Sequence, residues 1–139
     1  MIVDLDGIVA VEADIEDVQA LRRAIWNTAQ AAVAGSQPAD WDREAINSAA
    51  AYLPPVPVLE ASGRATLRRP VTTSQVLSVL ARDAVDLFAG ALAGRIRVCA
   101  APDCHLLYVD RSRGGNRQWC SMQRCGTLAK VRAHRERHP

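Results

Sequence analysis

Residues 99–125 read CAAPDCHLLYVDRSRGGNRQWCSMQRC, and the four cysteines in this stretch decide how the chain can fold. Four residues separate Cys99 from Cys104, four separate Cys120 from Cys125, and fifteen lie between the pairs. Two pairs of thiols carried on two turns suit zinc, which accepts four thiolates in a tetrahedron without a directional electronic preference. Two disulfides, four packed but unligated thiols, and a redox-active thiol are the competing readings of the same spacing. The compartment weighs between them. No apolar run approaches the ~18 residues that cross a bilayer, and Met1-Ile2-Val3-Asp4-Leu5-Asp6 lacks the basic flank and apolar stretch of a signal peptide. A cytoplasmic chain without a membrane partner is expected, and in a reducing compartment four cysteines favour Zn2+ over disulfides. Four protein ligands leave no open position, which disfavours zinc catalysis.

Outward from the cysteines, Ile96 and Val98 before the first pair and Leu106 to Val109 after it read as strands, and Asp110 to Asn116 as a polar, turn-rich loop. Ser121 can cap a helix from Met122 onward, placing Cys120 at its mouth and Cys125 in its first turns, where backbone N–H groups face thiolates. A knuckle, a hairpin and a helix bearing the last ligand make a treble-clef-like finger. Some 45 residues with so few large apolar side chains fall in the size range that usually needs a staple, and zinc supplies one. Trp119 and Tyr108 read as its miniature core, with base stacking as the alternative. His105 reads as a packed or exposed polar residue. His134 and His138 have the wrong offset to Glu136 for a metallopeptidase motif.

The formal net charge of +2 conceals a division. Residues 1–94 carry seven arginines against twelve acids, whereas residues 95–139 carry ten Lys and Arg against three acids. An acidic body, 1–94, therefore precedes a basic finger, 95–139. Arg111, Arg113 and Arg117 lie on the polar loop; Arg124, Lys130, Arg132, Arg135 and Arg137 lie on a last helix with almost nothing apolar to bury. Such a helix projects into solvent or onto a polyanion. Clustering of excess charge in one module favours nucleic acid over a merely solvated tail, since phosphate contacts dominate such binding. Arginine outnumbers lysine sixteen to one, and its forked guanidinium suits phosphates and guanine edges.

Hydrophobic residues make up 49%, but 24 of the 139 residues are alanine and six are aromatic, so the core is expected to be helical and thin in large side chains. Asp14 can cap a helix with Ile15, Val18, Leu21, Ile25, Ala29 and Ala32 near a 3.6 period, stopped by Gly35 and Pro38. A shorter helix runs from Asp40 to Tyr52, where Pro54-Pro55 forbids continuation. Val56–Leu59 and Arg64–Leu67 read as a hairpin about Ala61-Ser62-Gly63. From Thr72, with Gln75 completing a capping box, a long helix buries Val76, Leu77, Leu80, Ala84, Leu87, Phe88, Ala91 and Leu92 and ends at Gly94. The first dozen residues have no helical period and read as a strand or an arm. The fold class is α+β, mainly helical. No Gly-rich phosphate loop, nucleophile elbow or convergent acid–base set is present, so a non-enzyme is expected.

With these residues laid out, the tail resembles the CGNR zinc-finger family, in which a cysteine-paired finger follows an ABATE-type N-terminal domain described as a putative stress-induced transcription regulator. The resemblance is carried by Cys99-Ala100-Ala101-Pro102-Asp103-Cys104, by Asp110 with Ser112-Arg113, by Arg117-Gln118-Trp119-Cys120-Ser121-Met122, and by Cys125-Gly126 followed by Ala129-Lys130. It implies zinc on the four cysteines, and a transcription regulator that binds DNA. The body from about Asp14 to Gly94 resembles the later part of the family's N-terminal domain in helix layout. Two departures follow. Thr127-Leu128 stands where the family has Asn-Arg, removing an amide and a guanidinium from the finger helix. The chain also reads as beginning inside the N-terminal domain, which would expose an apolar face and favour a homo-oligomer through the body. A protein-binding adaptor and a thiol redox sensor are the alternative functions; no effector molecule is legible.

Overall fold

The computed structural model describes residues 2–5, 8–11 and 14–137. Strands β1 (Ile2–Leu5) and β2 (Ile8–Val11) pair antiparallel, and β2 pairs in parallel with β5 (Val71–Thr72), Ile8 opposite Val71. The opening residues are thus strand. Helix α1 (Asp14–Ala34), helix α2 (Asp40–Ala50) and helix α3 (Thr73–Ala89) pack on one another, and between α2 and α3 the hairpin β3 (Pro57–Leu59) and β4 (Ala65–Leu67) pairs with Val58 opposite Thr66. The finger follows as β6 (Ile96–Val98), β7 (Leu107–Val109) and α4 (Thr127–Arg137), giving an α+β, mainly helical chain.

Alanine sets the spacing of the three helices. Leu21 and Ala24 from α1, Ile46 from α2, and Leu77, Ala81 and Ala84 from α3 are buried together, with Ile25, Ala45, Ala49, Ala50 and Phe88 at the margin. Side chains this small let the helices approach closely, and Leu21, Ile46 and Leu77 supply most of the core volume. α3 begins as its sequence demands: the Thr72 hydroxyl accepts from the Gln75 amide at 3.3 Å, and the Gln75 side chain accepts from the Thr72 amide at 3.0 Å.

Three expectations are corrected. Leu80 is 50% exposed; the inward face of α3 is Leu77, Ser78, Ala81 and Ala84. The cause is polar: buried Ser78 donates to the Tyr52 carbonyl at 2.6 Å and accepts from Arg82 Nε at 3.2 Å. That contact turns the small residues toward the end of α2 and Leu80 outward. α3 also stops at Ala89, where Gly90 is extended, and a short 3-10 turn over Ala93–Arg95 leads into β6. Asp14 lies within α1 as its first residue, and its carboxylate accepts the Thr73 hydroxyl at 2.8 Å, tying α1 to the start of α3. The finger is joined to this bundle through β6, which packs on α1 and carries buried Ile96.

Candidate metal centre

The hairpin of the finger is β6 with β7, Arg97 opposite Tyr108, and the first cysteine pair sits in its turn. One strand, β7, lies between the two pairs, so the arginine-rich segment 111–117 is a connecting loop rather than a hairpin turn. Backbone hydrogen bonds close the knuckle onto the second pair: Cys99 N donates to Leu106 O at 2.9 Å, Cys104 N to Ala101 O at 3.0 Å, and Ala100 N to Gln118 O at 2.8 Å. The last bond brings the two cysteine-bearing segments side by side.

The Sγ atoms of Cys99, Cys104, Cys120 and Cys125 all lie within 4.8 Å of one another. Cys104 to Cys120 and Cys120 to Cys125 are each 3.7 Å. A tetrahedron with Zn–S bonds of about 2.3 Å has edges of about 3.8 Å, whereas a disulfide needs about 2.05 Å. The donor set, its number and its spacing therefore fit Zn2+ and not two disulfides. Zinc held there supplies a cross-link between the two segments and no open coordination position.

Cys125 is not on a regular α-helix as expected. Met122–Gly126 forms a wider, π-type turn, capped by Ser121, with Gly126 N bonded to Ser121 O at 3.0 Å, and α4 begins at Thr127. The extra residue in the turn swings the Cys125 sulfur back to Cys120 and offsets Arg124 from the phase of Arg135, which a continuous helix would have aligned. Gly126 is buried, and a Cβ there would lie 2.9 Å from Met122 Sδ, so the exposed Met122 side chain would have to shift to admit one.

Electrostatics within the cluster are uneven. Burial pushes the Cys99 thiol up, but amides of Cys120 and Ala101 and the neighbouring thiols outweigh it and bring it to about 7; Cys120 N lies 3.4 Å from its sulfur. Burial, reinforced by the thiols of Cys120, Cys104 and Cys99, pushes Cys125 up to about 12, and burial raises Cys120 too. Burial at Cys120 and Cys125 thus favours the protonated thiol, against which a metal must compete. Zinc binding displaces thiol protons, so affinity is expected to rise with pH between 6 and 8, by about 10-fold per unit for each proton released. Chelator competition at stepped pH measures this, and a pH-independent affinity would contradict it.

Beside the sulfurs, a second construction holds the loop. Asp110 has no exposed surface; its Oδ1 accepts Ser112 N and its Oδ2 accepts Arg117 N, each at 2.9 Å. The Ser112 side chain and these amides outweigh burial and hold the carboxyl below its ordinary value. The Arg117 guanidinium donates to the carbonyls of Trp119, at 2.7 Å, and Cys120, and lies 5.1 Å from the centre of the Tyr108 ring. The Tyr108 hydroxyl in turn donates to the Arg117 carbonyl.

Residues 95–138 match the CGNR zinc finger, and residues 3–91 match ABATE, described as a "putative stress-induced transcription regulator". The chain belongs to the ABATE family. Comparison with curated proteins gives no match. The ABATE match begins well before Asp14, so the likeness of the body takes in the opening strands as well as the helices.

In this ABATE chain the two residues in place of Asn-Arg are used differently from one another. The Thr127 hydroxyl donates to Met122 O at 3.0 Å and helps close the wide turn, while Leu128 is 58% exposed on the first turn of α4. Of the basic residues, Arg111, Arg113, Arg124, Lys130 and Arg135 are exposed. Arg117 is half-buried and engaged as above. Arg132 pairs with Asp103 at 2.7 Å, fastening α4 to the first knuckle. Arg137 ends α4. His105 is exposed, and His138 lies outside the described residues. Among the described residues no helix is long and apolar enough to cross a membrane.

Sequence reasoning missed Arg95, whose Nη1 donates to Ser112 O at 2.9 Å and Asp110 O at 3.4 Å, and it underrated Asp110. For Asp110 a signal existed, since an aspartate two residues before a serine in a turn-rich stretch marks an Asx turn. Nothing in the local sequence marked Arg95.

Proposed function

We propose that this chain is a cytoplasmic, non-catalytic transcription regulator that binds duplex DNA through its zinc-held finger, the body from residue 1 to about 94 serving to sense or to oligomerise. The observation that carries the reading is the segregation of charge: seven excess positive charges lie within residues 95–139, on a scaffold that leaves most of them in solvent. Zinc with four thiolates subtracts two, leaving the finger about +5. Arg111, Arg113, Arg124, Lys130 and Arg135 are the proposed contacts, with Arg132 and Arg137 along α4 and Arg117 acting from within.

Fluorescence anisotropy on a labelled duplex over a salt series tests this. Log affinity should fall with log salt by about 0.9 per phosphate neutralised, and Arg135→Ala should reduce that slope by about 0.9. A salt-insensitive interaction, or none, would sink the reading. A protein-binding adaptor is favoured by one observation, the exposed Leu128, Met122 and Val131 on the finger. A partner that survives nuclease treatment in a pull-down would decide for it.

A further inference from the structure

The exposed and the engaged cations of the finger do different work. Arg111 and Arg113 stand on either side of Ser112, and Ser112 is held from both directions: its amide by Asp110 and its carbonyl by Arg95. The far end of the loop is held as well, with the Arg117 amide on Asp110 and its carbonyl on Tyr108. Between them Gly115 takes φ +62°, and a Cβ there would come 3.0 Å from Arg95 Nη1, so the Arg95 guanidinium lies directly against the loop. Arg95, Tyr108, Asp110 and Arg117 thus fix the backbone of a loop whose two outward arginines, among the described residues, enter no hydrogen bond or ion pair.

Burying a carboxylate is costly unless it is fully hydrogen-bonded, and a plain connection from β7 to Cys120 needs no such group. What the arrangement achieves is a fixed starting point for two guanidinium stems. Of the acids described in the finger, Asp103 faces Arg132 and Asp110 is buried, so neither is spent on Arg111 or Arg113. Arg117 carries the same rigidity to the metal, since its guanidinium holds the carbonyls of Trp119 and Cys120.

We propose that the Asp110–Arg117 loop is a preformed clamp for the phosphodiester backbone of DNA, with Arg111 and Arg113 as its contacts and Asp110, Arg95 and Arg117 as positioning residues that link its shape to the zinc knuckle. This rests on the DNA-binding reading above and adds what aims two of its proposed contacts, and at which part of the duplex. Each positioned contact releases counterions, so the clamp makes a measurable share of the salt dependence.

The test uses the full zinc-loaded chain, a short random-sequence duplex, anisotropy titrations across a salt series, and zinc stoichiometry for every variant. The double variant Arg111→Ala/Arg113→Ala should lower the salt slope by about 1.8. Asp110→Asn is the sharper arm. It removes a negative charge, which by simple electrostatics would tighten DNA binding, whereas loss of positioning weakens binding and lowers the slope. A merely structural defect would shrink the active fraction and leave the slope of the remaining molecules intact. Arg117→Lys keeps the charge but loses the fork; a lowered slope supports positioning, an unchanged slope overturns that role. An unchanged slope in the double variant, or tighter binding with an undiminished slope in Asp110→Asn, overturns the clamp while DNA binding stands. Failure of the wild-type chain to bind the duplex overturns the DNA reading itself, and the clamp with it.

Discussion

Chelating zinc, or substituting Cys125→Ser, is expected to unfold the finger and leave the three-helix core standing. The reason is what the finger lacks. Among the described residues its buried apolar side chains are Ile96 and Cys99; Leu107, Tyr108, Val109 and Trp119 are only half-buried, and Leu106, Met122, Leu128 and Val131 are exposed. Burial on that scale does not offset about 1 to 2 kcal/mol of backbone entropy for each ordered residue. A structural zinc contributes about 10 to 16 kcal/mol apparent, which reverses the balance. Apart from the sulfurs, the two cysteine segments are joined by little beyond the Ala100–Gln118 bond and the solvent-exposed Arg132–Asp103 pair. The core of α1, α2 and α3 draws no residue from the finger. Amide hydrogen exchange after chelation should show protection lost across β6, β7 and α4 and kept in α1 and α3. Protection of β7 and α4 that survives complete zinc removal would refute the argument.

How legible this was depended on the scale of the interaction. The four cysteines could be read as a metal site from their spacing together with the inferred compartment and the flanking elements, because a tetrahedral site imposes a short-range pattern, and the capping box at Thr72 and Gln75 because it is closed within one turn. A helical period located α1, the end signals at Asp40 and Pro54-Pro55 located α2, and Ala61-Ser62-Gly63 between two apolar runs located the hairpin, all for the same reason. Leu80 was misread because its periodic position competes with a tertiary contact, the bond from Ser78 to Tyr52, that has no local sequence mark. The wide turn at Met122–Gly126 was invisible because it differs from an α-turn by one residue, a difference that no local propensity marks. Arg117 and Arg132 were counted with the unengaged cations, since composition does not distinguish a free arginine from one folded onto carbonyls or one paired in solvent with Asp103.

Leu21→Ala should destabilise the body by about 3 to 5 kcal/mol, the upper part of the range for such truncations. Leu21 is 3% exposed, and its buried neighbours include Ala24, Ala81 and Ala84, with Ala45 and Ala49 at the margin. Alanine has no rotamer with which to refill a void, and helices already at close approach cannot draw nearer to collapse it. The cavity therefore persists, and its cost adds to the lost transfer energy. Leu80→Ala is the matched control, the same deletion on an exposed flank of α3, and should cost less than about 1 kcal/mol. Urea unfolding followed by helix circular dichroism on the zinc-loaded chain reads both. Equal losses for the two variants would show that Leu80 is packed after all, and a loss below about 1.5 kcal/mol for Leu21 would show that the alanine-lined core can close around a missing side chain.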